Sequence, residues 1–318
     1  MINLRAIFIA ALVLPGLANL AHAETRVTYK SAKTSSSYYQ MGVQIAEAMK
    51  AGSNGDIIVT VEESQGSVQN VMEAAQRGGN YVFTTPPALV KLAQEGKAMF
   101  KDKANPKFAE IRALFPIPSL TMHFVVRSDA GINEFADLEG KTMLIGKGSF
   151  GAKEGAKYLQ LFGLEGKVKL ADLELDNAVP ALKNRQIDGF VTAGSYPAPN
   201  VIEAAASTGV RLLSLSDEQI QQTKRTRLVI PAGTYAGVDS DVVTTSLPVV
   251  AYSTTAMDDE TAYQLTRTYW SQKSAMGSNA AWWNAVSAEM LNNIQGKIHA
   301  GALRYYDEAG IPVAASNR

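Results

Sequence analysis

Residues 57–85 read IIVTVEESQGSVQNVMEAAQRGGNYVFTT. Ile57 to Val61 is a β-branched run that fits a buried strand. Ser67 to Gln76 changes period, placing Val68, Val71, Met72 and Ala75 along one side of a helix. Tyr81 to Thr84 is apolar and β-prone again, so the unit is strand, helix, strand. Such alternation predicts a parallel sheet flanked by helices.

The same rhythm extends in both directions. Val27 to Tyr29 begins a strand that leads into a Ser/Thr-rich loop. Met41 to Lys50 is predicted as a helix with Val43, Ile45, Ala46 and Met49 as its apolar positions. Pro86 suits a helix start, where its missing N–H sacrifices no bond. Thr121 to Val126 and Thr142 to Ile145 read as further strands. Val242, Val243 and the run Leu247 to Tyr252 resume β structure. Neither an internal repeat nor a low-complexity linker interrupts the 318 residues.

Composition narrows the function. The 30 basic and 30 acidic residues balance, so the basic face that nucleic acid requires is not expected. With no Cys, disulfides, thiolate metal sites and cysteine nucleophiles are excluded. At the start, Arg5, the apolar stretch Ala6 to Leu20 and Ala21-His22-Ala23 have the form of a cleavable signal peptide, residues 1–23. The mature chain is then expected to begin near Glu24 and to lie in the periplasm. No Cys follows, so lipid anchoring is not expected. Removing 23 of 318 residues leaves 295, enough for two lobes with substantial cores.

In sheets of this kind, ligands bind beyond the carboxyl ends of strands, beside the starts of the following helices. Four loops fit that position: Ser31 to Tyr38, Gln65 to Ser67, Thr84 to Pro87 and Gly146 to Gly151. Each is rich in small polar residues, and Lys33 and Lys147 add two ammonium groups. Helix amino termini carry partial positive charge and unpaired N–H groups, which favours an anion. The same loops also suit plain helix capping. Four of them in register point to a shared anionic ligand.

Three further segments carry a resemblance: IPAGTYAGVDSDVVTT at 230–245, GALRYYDEAGI at 301–311 and SSSYYQMG at 35–42. Together they resemble the TAXI proteins, extracytoplasmic solute-binding subunits of one class of tripartite ATP-independent periplasmic (TRAP) transporters. The family's glycine-rich loop after the first strand corresponds to Ser31-Ala32-Lys33-Thr34-Ser35-Ser36-Ser37-Tyr38-Tyr39. Its G-G-S-V segment corresponds to Gln65-Gly66-Ser67-Val68, and its polar strand end to Thr85-Pro86-Pro87. Its G-S-G-T turn is Gly148-Ser149-Phe150-Gly151, and its second-lobe A-G is Ala193-Gly194, followed by Ser195. The departures, a lysine and serines replacing glycines and Phe150 in a small turn, bear on which solute is bound.

The resemblance implies a type II periplasmic binding-protein fold, two α/β lobes with a ligand cleft between them. Lobe I would comprise 24–124 and 249–318, and lobe II 125–248. It implies a monomer without cofactor that binds a small organic anion, glutamate or another dicarboxylate-like solute, and delivers it to TRAP membrane permease subunits. The ligand-binding residues would be Lys33, Thr34, Ser35, Ser36, Ser37, Tyr38, Gln65, Ser67, Thr85, Lys147, Ser149, Gly194 and Ser195. The segment at 230–245 would form part of the return crossing and of the surface met by the permease.

Catalytic readings find less support in the residues. Only His123 and His299 remain in the mature chain, too few for a His-rich zinc site. The sequence around Ser149, KGSFG, lacks the first glycine of a nucleophile elbow. Gly140 to Lys147 has five residues where a Walker loop needs four. His123 reads as a satisfied core or hinge histidine, and Arg127 as either a carboxylate clamp or a structural ion pair. Trp270, Trp282, Trp283 and His299 read as packing. Two other classes remain: a periplasmic sensor for a receptor, and a secreted carboxylate-dependent hydrolase.

Overall fold

The computed structural model describes residues 24–318; the signal-peptide reading of 1–23 lies outside the described residues. The chain begins with β1 (Thr25–Lys30), α1 (Ser37–Gly52), β2 (Ile57–Glu62), α2 (Ser67–Ala74), β3 (Tyr81–Thr85) and α3 (Pro87–Gln94). A long strand, β4 (Ile111–Arg127), follows. Next come β5 (Thr142–Leu144), α4 (Phe150–Leu161), β6 (Lys169–Leu170), α5 (Ala178–Lys183), β7 (Gly189–Gly194), α6 (Pro199–Thr208), β8 (Val210–Leu212), α7 (Asp217–Thr223) and β9 (Thr226–Ile230). The second long strand, β10 (Val242–Thr254), precedes α8 (Asp259–Asn279) and α9 (Ala300–Glu308).

The strand order is β2-β1-β3-β10-β4-β7-β5-β6, with β8 joined to β4 and β9 to β10. The strand-helix-strand unit at 57–85 does not pair with itself. Both β2 and β3 pair in parallel with β1, one on each side. The expected parallel sheet is in fact mixed. The pairs β3–β10, β10–β4, β10–β9, β4–β7 and β4–β8 are antiparallel, and β5 pairs in parallel with β6 and β7. The reason is length: β4 and β10 are long enough to serve two α/β lobes in turn. Residues 111–121 of β4 pair with β10, while 121–127 pair with β7 and β8. A crossing strand that returns must run against its neighbours.

Local burial differs from the simple helical reading in α1. Its inner face is Met41, Ile45, Ala48 and Met49, and Val43 points outward with 37% of its surface exposed. Met41, Ile45 and Met49 are each 1% exposed, and burial of such side chains contributes about 1.5–3 kcal/mol apiece. A second apolar cluster packs Phe190 of β7 with Leu182 of α5 and Val201 of α6. No helix among the described residues is long and apolar enough to cross a membrane.

Candidate functional site

Three helices begin at one place. Ser36 caps α1, its Oγ accepting from Tyr38 N, and Ser149 caps α4, its Oγ accepting from Ala152 N. The cap of α2 is Gly66, which supplies no side chain. Gly66 has φ +114°, and an added Cβ would come within 3.2 Å of Ser149 Cβ. A side chain there would be strained and would also press on the opposite lobe. Among the described residues, no protein acceptor meets the N–H groups of Ser67, Val68 and Gln69 at the start of α2. Three positive helix ends thus converge.

They converge on a cavity of ≈ 60 Å³. Lys33, Ser36, Tyr38, Gln65, Ser67, Thr84 and Ser149 supply its polar wall, and Leu120, Val249, Val191 and Ala193 part of its apolar wall. Small-molecule sites usually measure roughly 300–1,000 Å³, so the two lobes stand close together here. Gly151 lets the start of α4 pack directly on β7 beside the cavity, because a Cβ there would lie 2.6 Å from Ala193 Cβ.

Electrostatics at the mouth are mixed. Lys33 Nζ lies 3.2 Å from Glu63 and 3.9 Å from Asp176 across the cleft. The Ser35 hydroxyl also donates to Asp176. With its amide oriented to suit both neighbours, Gln65 accepts from Lys33 Nζ at 3.3 Å and donates to Glu174 at 3.2 Å. Beside the cavity, Ser37 Oγ accepts from Ser195 N at 2.9 Å, and Ser195 Oγ donates to the Ser119 carbonyl at 2.7 Å. Tyr38 is buried and donates to the Pro118 carbonyl; burial pushes its phenol up, so it stays neutral.

Lys33, Ser36, Tyr38, Gln65, Ser67 and Ser149, six of the thirteen site residues expected from sequence, line this cavity. Ser35, Ser37, Gly194 and Ser195 stand beside it in contacts that cross between the lobes. Thr34 is exposed and outside it. Thr85 is fully buried; its neighbour Thr84 faces the cavity instead, since successive strand residues point to opposite faces. Lys147 also lies outside, its ammonium 2.6 Å from Asp172 and nearly half exposed.

Sequence reasoning missed Asn70. Its buried amide donates to the carbonyls of Ser31 at 2.7 Å and Thr84 at 2.9 Å, tying together two loops of the cavity. A polar residue on the apolar side of α2 was the available signal, because buried amides require partners.

The two remaining histidines are structural. His123 Nδ1 donates to the Thr121 carbonyl at 3.1 Å, and Nε2 accepts from Tyr235 at 2.9 Å. Burial lowers its pKa to about 4. His299 caps α9, its Nδ1 accepting from Gly301 N. Arg127 is held by Asp129 and Asp188, which fits the ion-pair reading. No cluster able to hold a metal ion occurs among the described residues. The segment at 230–245 makes the β9–β10 hairpin, whose Tyr235 reaches inward to His123.

Two lobes joined by crossing strands, with a polar cavity between helix starts, define the periplasmic binding-protein fold. The chain belongs to the NMT1-like family, whose model matches residues 30–310. Its fold is similar to that of MatC from Rhodopseudomonas palustris, solved with bound malate. That match has TM-score 0.57 and 11% identity, covering 90% of this chain and 97% of the other. It is also similar to the periplasmic binding protein BugD, with TM-score 0.53 and 11% identity over 92% of this chain and 99% of that one. A periplasmic transporter structure matches with TM-score 0.57 and 9% identity, covering 91% and 94%. At these identities the likeness concerns the fold alone.

Proposed function

We propose that this chain is a periplasmic solute-binding protein that captures a small organic anion between its lobes and hands it unchanged to a membrane permease. The observation that carries this reading is the convergence of three helix amino termini and Lys33 on one interlobe cavity. Unpaired N–H groups and helix dipoles stabilise a carboxylate without any chemistry. The hydroxyls of Ser36 and Ser149 accept cap bonds through a lone pair, so their O–H protons remain free to donate to the solute.

The finer reading is a TAXI-type subunit of a TRAP transporter, with glutamate or another dicarboxylate as solute. The segments at 35–42, 230–245 and 301–311 support it, and the malate in the MatC structure is a dicarboxylate. Lobe I as 24–124 with 249–318, and lobe II as 125–248, agree with the changes of strand partner near Thr121 and Ser246. Closure by bending of the two crossing strands would bury the solute and mark the form that the permease accepts.

Native mass spectrometry of the purified protein, followed by calorimetry with glutamate, malate, succinate and arginine, tests the proposal. An intact bound anion, with arginine silent, is the expected result. Binding of cations alone, or release of the solute with altered mass, would overturn it.

A further inference from the structure

A larger pocket, ≈ 480 Å³, lies on the opposite face of the crossing strands. On β4, Leu120 faces the first cavity, while Ser119 and Thr121 line this second one. Its volume falls within the usual range for small-molecule sites. None of its lining residues is charged. Rings and aliphatic groups dominate: Trp282, Tyr196, Leu228 and the three prolines 118, 197 and 231. Among the described residues, the hydroxyls of Thr121 and Ser246 have no protein partner, although these residues are only 1% and 9% exposed. Both residues line the pocket, so their hydroxyls are placed to bond an occupant.

We infer that this pocket is a second ligand site, for an uncharged, mainly apolar small molecule carrying a ring and one or two hydrogen-bonding groups. Its walls come from both lobes. Ser195 to Pro197, Leu228 and Thr234 lie on one side, and Ala281, Trp282 and Ala285 on the other, with the crossing strands between. Bending about those strands that brings Lys33 toward Asp176 in front draws the rear walls apart. The small front cavity and the large rear pocket are the two ends of that lever. An occupant of the rear pocket therefore favours the arrangement in which Ser37 holds Ser195, and by linkage tightens the front site. The coupling to solute rests on the function proposed above; the rear site itself does not.

Indole, an uncharged ring with one N–H donor, is a suitable probe, followed by saturation-transfer NMR. The wild-type protein is expected to bind it saturably at one site. Ala285→Trp and, independently, Thr234→Phe fill the pocket from its rim and should each weaken binding at least about tenfold while Tm is unchanged. Saturating indole should slow amide exchange of Ser195 N–H at least about fivefold, the low end of ordinary allosteric coupling. Absence of saturable binding, or binding that both variants leave intact, overturns the site. Unchanged Ser195 exchange overturns the coupling. If indole does not bind but either variant stops docking to permease-containing vesicles, the face is a protein interface and the small-molecule assignment falls. Failure of the anion reading would appear separately, in calorimetry, and leaves the indole results untouched.

Discussion

The Ser37 hydroxyl accepts a 2.9 Å hydrogen bond from the backbone N–H of Ser195, 158 residues further along the chain. It joins the start of α1 to the end of β7, and both groups are buried. Ser37→Ala leaves the Ser195 N–H without its partner, which costs about 1–3 kcal/mol. Denaturant unfolding should show a loss of this size, and Ser195 amide exchange should accelerate. An unaltered exchange rate would mean that the contact does not hold the lobes.

Among the described residues, Lys33 is the one ammonium group in the wall of the front cavity. Lys33→Ala should weaken the bound anion by about 1.5–3 kcal/mol, the scale of a hydrogen bond to a charged group. Calorimetry against the copurified solute provides the measurement. The difference between the two proteins should shrink as salt is added, because the site opens to solvent.

Asp176 holds the other end of the mouth, meeting both Ser35 and Lys33. Asp176→Ala should loosen the lobes in the absence of solute and raise the radius of gyration in solution scattering. Gly66→Val should act in the same direction for a different reason, since its side chain meets Ser149.

The two cavity serines should behave differently. Ser149 Oγ caps α4, so Ser149→Ala should lower stability without solute by about 1 kcal/mol as well as weakening binding. Ser67 occupies the first turn of α2, with Gly66 as the cap. Ser67→Ala should weaken binding while leaving Tm nearly unchanged.

His123 makes stability depend on pH. Burial holds its folded pKa near 4, against about 6.5 when unfolded. Between those values the unfolded chain binds the extra proton, so stability is present above pH 6.5 and falls as pH drops toward 4. The expected loss is about 3 kcal/mol from this group alone. Denaturant titrations at several pH values should show that slope, and His123→Gln should flatten it.

The amino-acid sequence by itself determined the alternation of strands and helices and the loops that line the front cavity. These are local properties: β-branched runs, 3.6-residue periodicity, and Ser, Gly or Pro where helices begin. It also placed Lys33, Ser36, Gln65, Ser67 and Ser149 on loops that line one cavity. Tertiary structure decided the rest. The sheet is mixed because β4 and β10 each serve two lobes, and strand direction is a matter of partners, not of propensity. Thr84 rather than Thr85 faces the cavity, a choice set by register against β1 and β10. Lys147 meets Asp172 and Lys33 meets the cavity, although both are lysines on comparable loops. The rear pocket draws its walls from segments as distant as Pro118 and Ala285. Such contacts depend on how the chain returns upon itself, and periodicity within any one segment carries no record of it.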